Sequence, residues 1–195
     1  MKLLAQKEDK VLSEDVRIFK QIASGDQAAL EKFYVKYYKH LYRFALSYER
    51  DVFIVEEKIS DVFFYLWHRK DELHKILNPK VYVFTMTKNL LFQEKKLARM
   101  QALNGDFKSF EANHYADNVE DQIILNEQEE KIRKSLYKIV EKIPPKSRRI
   151  FEMSRIDGLK YKQIAEILNL SVRTVENQMS IALRTIEYLL AKQLD

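Results

Sequence analysis

The chain of 195 residues contains no cysteine. That excludes a disulfide, a thiolate nucleophile and cysteine-ligated zinc, and it fits a reducing compartment. Only three glycines and three prolines occur. These residues cost most inside a helix, so little interrupts helix over long stretches. The phosphate-cradling motifs GxxxxGK[ST] and GxGxxG are both absent. The four histidines, His40, His68, His74 and His114, form no HExxH and no pair one helical turn apart. His68 and His74 share a polar stretch with Asp71 and Glu72, which reads as a solvated loop. Glu56, Glu57 and Asp61 lack partners on a second segment that would complete a divalent-cation site. No enzyme activity, cofactor, metal or small-molecule substrate is therefore expected. No apolar run approaches the roughly 20 residues of a membrane span. Met1–Leu4 is too short for a signal-peptide core, and Gln6, Lys7, Glu8 and Asp9 follow at once. The expectation is a soluble, cytoplasmic protein without membrane insertion.

Against these absences stand 46% hydrophobic and 32% charged residues, enough apolar material for one domain or two small ones. The net charge is +5, and its distribution is uneven. Residues 1–100 carry 19 Lys/Arg against 14 Asp/Glu, and residues 131–195 carry 14 against 7. Between them, residues 101–130 hold one basic residue, Lys108, and eight acidic ones. Basic blocks can neutralise phosphates and release counterions. The acidic segment repels DNA and suits solvent or a basic protein surface.

Helical periodicity predicts an all-α chain of two small helical domains joined by a flexible linker. Residues 1–18 read as a loose polar arm. Helical spacing runs from Phe19 to Leu46, broken at Ser24, Gly25 and Asp26, with Asp26 placed to cap the next helix. Leu30, Phe33, Tyr34, Tyr37, Leu41 and Phe44 form its core stripe. A third helix, about Val52 to Trp67, buries Ile59, Val62, Phe63 and Leu66, with Glu56, Glu57, Ser60 and Asp61 more outward. His68 to Asn78 reads as a loop. Pro79 opens a fourth helix reaching about Met100, with Val83, Met86, Leu90 and Leu97 on one side. The other side shows Thr85, Lys88, Asn89, Phe92, Lys96 and Arg99. A basic face interleaved with Tyr82, Phe84 and Phe92 suits stacking on unpaired bases beside phosphate contacts. Residues 101–120 lose periodicity and form the linker. A helix from about Gln122 to Ile143 then stops at Pro144 and Pro145, another runs over Lys146 to Ile156, and Asp157-Gly158 makes a turn.

The segment YKQIAEILNLSVRTVENQMSIALRTI, Tyr161–Ile186, reads as a helix–turn–helix. Ile164, Ala165 and Leu168 line the first helix. Asn169 can close it in a left-handed conformation, and Ser171 can cap the next. Val172, Val175, Met179, Ala182 and Ile186 form one apolar stripe. Arg173, Thr174, Asn177, Ser180, Ile181 and Arg184 face away from it, as in a helix that reads a major groove. An ordinary helical hairpin is the alternative reading of the same pattern.

Taken together, residues 19–195 resemble a bacterial sigma factor of the extracytoplasmic-function group. SGDQAALEKFYVKYYKHLYRFAL resembles the group's opening helices, and VEEKISDVFFYLW resembles its helix that docks on the RNA polymerase clamp. PKVYVFTMTKNLLFQEKKLAR resembles the helix that opens and reads the minus-ten element. IPPKSRRIFEMSRIDGLKYKQIAEILNLSVRTVENQMSIALRTI resembles the domain that reads the minus-thirty-five element. The resemblance implies a melting and core-binding domain at residues 19–100, an acidic linker at 101–120 and a DNA-binding domain at 121–195. It places core-polymerase contacts at Glu57, Ser60, Asp61 and Phe64, and melting contacts at Thr85, Lys88, Asn89, Phe92, Lys96 and Arg99. Upstream duplex contacts fall at Arg173, Thr174, Glu176, Asn177, Ser180, Ile181 and Arg184. A pocket for a flipped base, repaying an unstacking cost of a few kcal/mol, falls between the His68–Asn78 loop and the Pro79 helix. The linker would thread the basic RNA-exit path of polymerase. The implied partners are core RNA polymerase, duplex and melted promoter DNA, and an anti-sigma factor. The aromatic- and lysine-rich style resembles members from Bacteroidetes.

The sequence departs from the group's pattern at several points. Ser60 stands where glutamine is usual, Lys58 replaces a leucine two positions earlier, and Gln93 replaces an aspartate. Gln178 and Ile181 occupy recognition-helix positions that are often basic or aromatic. Two other functions remain open from the residues alone. One is a helix–turn–helix regulator that acts without core polymerase, although the N-terminal half lacks the alternating strands of a receiver domain. The other is a helical protein-binding adaptor, which leaves the segregated basic faces unexplained.

Overall fold

The computed structural model describes residues 13–103 and 138–194, and every regular element among them is helical. The chain divides into two compact units, Met1–His114 and Tyr115–Asp195. In the first unit, α1 spans Glu14–Ala23, α2 Gln27–Leu46, α3 Val52–His68 and α4 Pro79–Leu103, with a short 3-10 helix at Lys70–Lys75 before α4. In the second, the described end of a helix at 138–141 precedes α5 (Pro145–Arg155), α6 (Tyr161–Leu168) and α7 (Val172–Leu194).

Local capping chemistry sets most of these boundaries. Ser13 Oγ accepts the Val16 N–H at 3.4 Å at the start of α1. Asp26 Oδ1 accepts the Ala29 N–H at 3.1 Å at the start of α2. Asp51 Oδ1 accepts the Phe53 and Ile54 N–H groups at 2.9 and 3.4 Å at the start of α3. Each satisfies donors that the first helical turn leaves without a partner. The reversal between α1 and α2 needs Gly25, whose φ of 91° lies in the region that side chains disfavour.

The core of the first unit comes from Phe19 and Ile22 of α1, Phe33, Leu41 and Phe44 of α2, Ile59, Val62 and Leu66 of α3, and Val83, Phe84 and Leu91 of α4. Phe33 rests between Phe19 and Tyr37, with ring centroids 4.9 and 4.4 Å away. Such pairs add roughly 0.5–1.5 kcal/mol each beyond area burial.

Three sequence expectations are corrected here. The arm is already helical from Glu14, because its two acidic residues find partners on α2: Lys32 and Lys36 reach Glu14 at 2.9 Å each, and Lys36 reaches Asp15 at 2.7 Å. Tyr37 also donates to Asp15 at 2.5 Å. The His68–Asn78 stretch is not a plain loop. His68 ends α3, and the 3-10 helix that follows buries Leu73 and packs on α1. Finally, α4 runs to Leu103, into the stretch expected to be linker, and the rest of the 101–120 segment lies outside the described residues.

Candidate nucleic-acid interface

In the second unit the helix–turn–helix is built by backbone chemistry that a few residues dictate. The turn after α5 uses Gly158 at φ 63°, with the Leu159 N–H bonded to Met153 O at 2.9 Å. Gln163 Oε1 accepts the Lys160 N–H at 2.9 Å as α6 begins. Asn169 closes α6 at φ 56°, ψ 51°. The Leu170 N–H reaches Ala165 O at 2.9 Å and the Asn169 N–H reaches Glu166 O at 3.2 Å, the paired bonds of a Schellman closure. One residue later, Ser171 Oγ accepts the Thr174 N–H at 3.0 Å and starts α7. Two residues therefore stop one helix and start the next.

Val175, Met179 and Ala182 are buried beneath α7, with Ile164, Ala165 and Ile167 buried on α6 and Ile150 and Met153 on α5. Ser147, buried on α5, donates to Gln178 Oε1 at 2.7 Å and ties the recognition helix to its support. Gln178 thus serves the α5–α7 contact through that oxygen. Arg173, Glu176, Asn177, Ser180, Ile181 and Arg184 are all exposed, as the sequence pattern requires of a groove-facing surface. Thr174 is half-buried, and its hydroxyl contacts Ser171 Oγ at 2.8 Å. Val172, expected in the apolar stripe, is exposed instead, because it lies in the first turn ahead of the buried part of α7. Ile186 is half-buried.

On α4, Asn89 and Phe92 are exposed, while Thr85 and Lys88 are half-buried. Burial holds the Lys88 ammonium below its ordinary range. Phe84 is not a stacking residue: it is fully buried against Phe44, centroids 5.1 Å apart. From Phe44 the contacts continue to Tyr48 at 5.3 Å and from Tyr48 to Phe92 at 5.5 Å, both edge-on. Phe92 is thereby held by a row of rings rooted in the core, with about half its surface exposed. Tyr82 is half-buried edge-on to Phe19, 6.3 Å between centroids. Lys96 and Arg99 lie on the described backbone of α4, and their side chains lie outside the described residues.

A separate surface runs along α3. Glu57, Ser60 and Phe64 are exposed and Asp61 is half-buried. Ser60 Oγ donates to Glu56 O at 2.8 Å, and the Phe64 ring sits 3.8 Å from the His68 ring. Phe53, 82% exposed, continues this row one turn earlier. The sequence reading missed it, although the spacing Phe53, Glu57, Ser60, Phe64 places all four on one helical face. Among the described residues no group of three or more His, Cys, Asp or Glu is placed to hold a metal ion, and no helix is long and apolar enough to cross a membrane.

Residues 133–186 match the family "Sigma-70, region 4". No curated protein sequence matches the chain. Among solved structures, the fold is similar to that of CnrH in complex with the cytosolic domain of CnrY, at 20% identity and TM-score 0.55, covering 92% of this chain and 99% of that one. It is also similar to the sigma factor RpoE in complex with the anti-sigma factor NepR from Bartonella quintana, at 20% identity and TM-score 0.55, covering 83% of this chain and 96% of that one. Residues 133–186 are thus similar to sigma-70 region 4, and the all-helical fold is similar to that of a sigma factor of known structure.

Proposed function

We propose that this protein is a sigma factor of the extracytoplasmic-function type, which binds core RNA polymerase and directs promoter recognition, melting and transcription initiation in the cytoplasm. The observation that carries the reading is the combination in one chain. A region 4 helix–turn–helix stands with an N-terminal helical unit over a fold matched along 92% of the length by one solved chain. A regulator that acts without polymerase leaves the exposed acidic and aromatic face of α3 on the N-terminal unit unexplained.

The roles follow from the two surfaces. The second unit, within residues 121–195, holds upstream duplex through Arg173, Thr174, Glu176, Asn177, Ser180, Ile181 and Arg184. Its side chains project from a helix whose start is fixed by Ser171, so base edges meet a pre-set surface. The first unit, within residues 19–100, binds polymerase through the α3 face with Glu57, Ser60, Asp61 and Phe64. It holds the melted strand along α4 with Thr85, Lys88, Asn89, Phe92, Lys96 and Arg99. The acidic stretch at 101–120 occupies a basic path on polymerase. Both solved relatives named above are complexes, one with an anti-sigma factor. A protein of that kind is the expected negative regulator here, and the composition favours an origin like that of the Bacteroidetes members.

The test is direct. Purified protein is mixed with bacterial core RNA polymerase, binding is measured, and run-off transcription is read from a promoter library. Tight binding with new start sites is expected. Sequence-specific DNA binding with no core affinity would overturn the reading in favour of an ordinary regulator.

A further inference from the structure

Lys58 lies on the core side of α3, only 8% exposed, beside Val55, Ile59 and Val62. An apolar residue is the ordinary filler of such a position, since taking an ammonium out of water is costly unless the charge is paired. Two carboxylates pair with Lys58. Its Nζ lies 2.8 Å from Glu57 Oε1 and 3.6 Å from Asp61 Oδ2. Those two carboxylates stand one helical turn apart, where like charges repel. Both remain open to solvent, with Glu57 the more exposed of the two.

We infer that Lys58 is a positioning residue, which anchors the Glu57 and Asp61 carboxylates from beneath and presents them in one fixed arrangement to a cationic surface on polymerase. The inference rests on the polymerase-binding reading of α3 given above. Its physical content is pre-organisation. A free glutamate and aspartate sample many rotamers and lose that freedom on binding. Here the buried ammonium has already selected the rotamers and offsets the repulsion between them. The triad keeps one net negative charge, and it is flanked along the helix by the exposed rings of Phe53 and Phe64. A cationic group set among apolar contacts is the partner surface this row fits.

Association and stability then respond in different directions. Glu57 and Asp61 stay open to solvent, so removing Lys58 leaves no buried charge without a partner, and methionine avoids the cost of taking an ammonium out of water. Lys58→Met should therefore melt no lower than the parent. The same change leaves two unanchored carboxylates and one more net negative charge. Association with core polymerase should become faster and more salt-sensitive, while dissociation should become at least about fivefold faster, since affinity differences between related complexes lie mostly in the off-rate. Lys58→Arg should restore the parent off-rate.

The experiment has two parts. In the free full-length protein, the Lys58 ammonium signal is followed by nitrogen-15 NMR in the parent and in a Glu57→Gln, Asp61→Asn double variant. A slow-exchanging signal that collapses in the double variant is expected, and a signal indifferent to both substitutions would overturn the inference. Association and dissociation rates on core polymerase are then measured for the parent, Lys58→Met and Lys58→Arg. Tight parent binding with an unchanged Lys58→Met off-rate overturns the role of Lys58 and leaves the sigma reading intact. A parent that does not bind core polymerase overturns the sigma reading itself, and this inference with it.

Discussion

Replacing Ser171 with alanine should loosen the start of the recognition helix by an amount the structure sets. Ser171 Oγ accepts the Thr174 N–H at 3.0 Å and contacts Thr174 Oγ1 at 2.8 Å. Alanine removes both, and losing an N-cap of this kind costs about 1 kcal/mol. That corresponds to roughly a fivefold rise in the opening equilibrium. The assay is native-state hydrogen exchange on the full chain, read at the Thr174 and Val175 amides. Protection should fall about fivefold at both positions in Ser171→Ala. It should return in Ser171→Asp, because aspartate caps as well as serine and its charge complements the helix start. Because Arg173 and Thr174 lie in that first turn, DNA must reorder it on binding, and duplex affinity should fall by no more than the same factor. Unchanged protection in Ser171→Ala, or no recovery in Ser171→Asp, would refute the assignment of the cap.

Three further outcomes are expected. Asn177→Ala should cost about 1–3 kcal/mol of discrimination between promoter variants; equal binding across those variants in parent and mutant removes Asn177 from the reading set. Phe84→Ala should destabilise the first unit by about 3–5 kcal/mol, measured by chemical denaturation followed at Trp67; a loss under 1 kcal/mol would place Phe84 back on the surface. Hydrogen bonds from Lys32 and then Lys36 hold the Glu14 carboxyl down at about 2. Its contribution to docking α1 is thus complete above pH 4.5 and is lost as pH falls toward 2. The Ile18 and Phe19 amides should open over that window in the parent, and Glu14→Gln should flatten the dependence; identical acid profiles would refute the link.

What the sequence disclosed was mainly the local chemistry. Asp26, Pro79, Asn169 and Ser171 act on backbone groups within three or four residues of themselves, so their roles could be read directly. The misreadings needed distant partners. Glu14 and Asp15 looked like part of a solvated arm because the lysines and tyrosine that hold them lie about twenty residues on. Leu73 is a lone apolar residue among charged ones, and only its burial beside α1 makes the 3-10 helix. On α4 nearly every residue from Val81 to Phe92 is apolar or small, so periodicity names no unique face, and Phe84 was set outward when it is core. On α7 most of the outward set was legible, because Val175, Met179 and Ala182 recur at helical spacing opposite Arg173, Asn177 and Arg184. The bond from Ser147 to Gln178 spans 31 positions and left no trace in the pattern.

Among the described residues, the buried core of the first unit lies between Val16 and Leu91, and its helices follow one another by short turns. Contacts of that kind are close in sequence, and helical units rich in them fold in microseconds to milliseconds. Chain synthesis proceeds at roughly 5–20 residues per second. The stretch after Leu103 therefore takes roughly 5–20 s to be made. For much of that interval the helices up to Leu91 can pack on a chain that is still being made. The row of aromatic and acidic groups on α3 can therefore be in place before α7 has been translated, so the order of assembly follows from where the core residues fall.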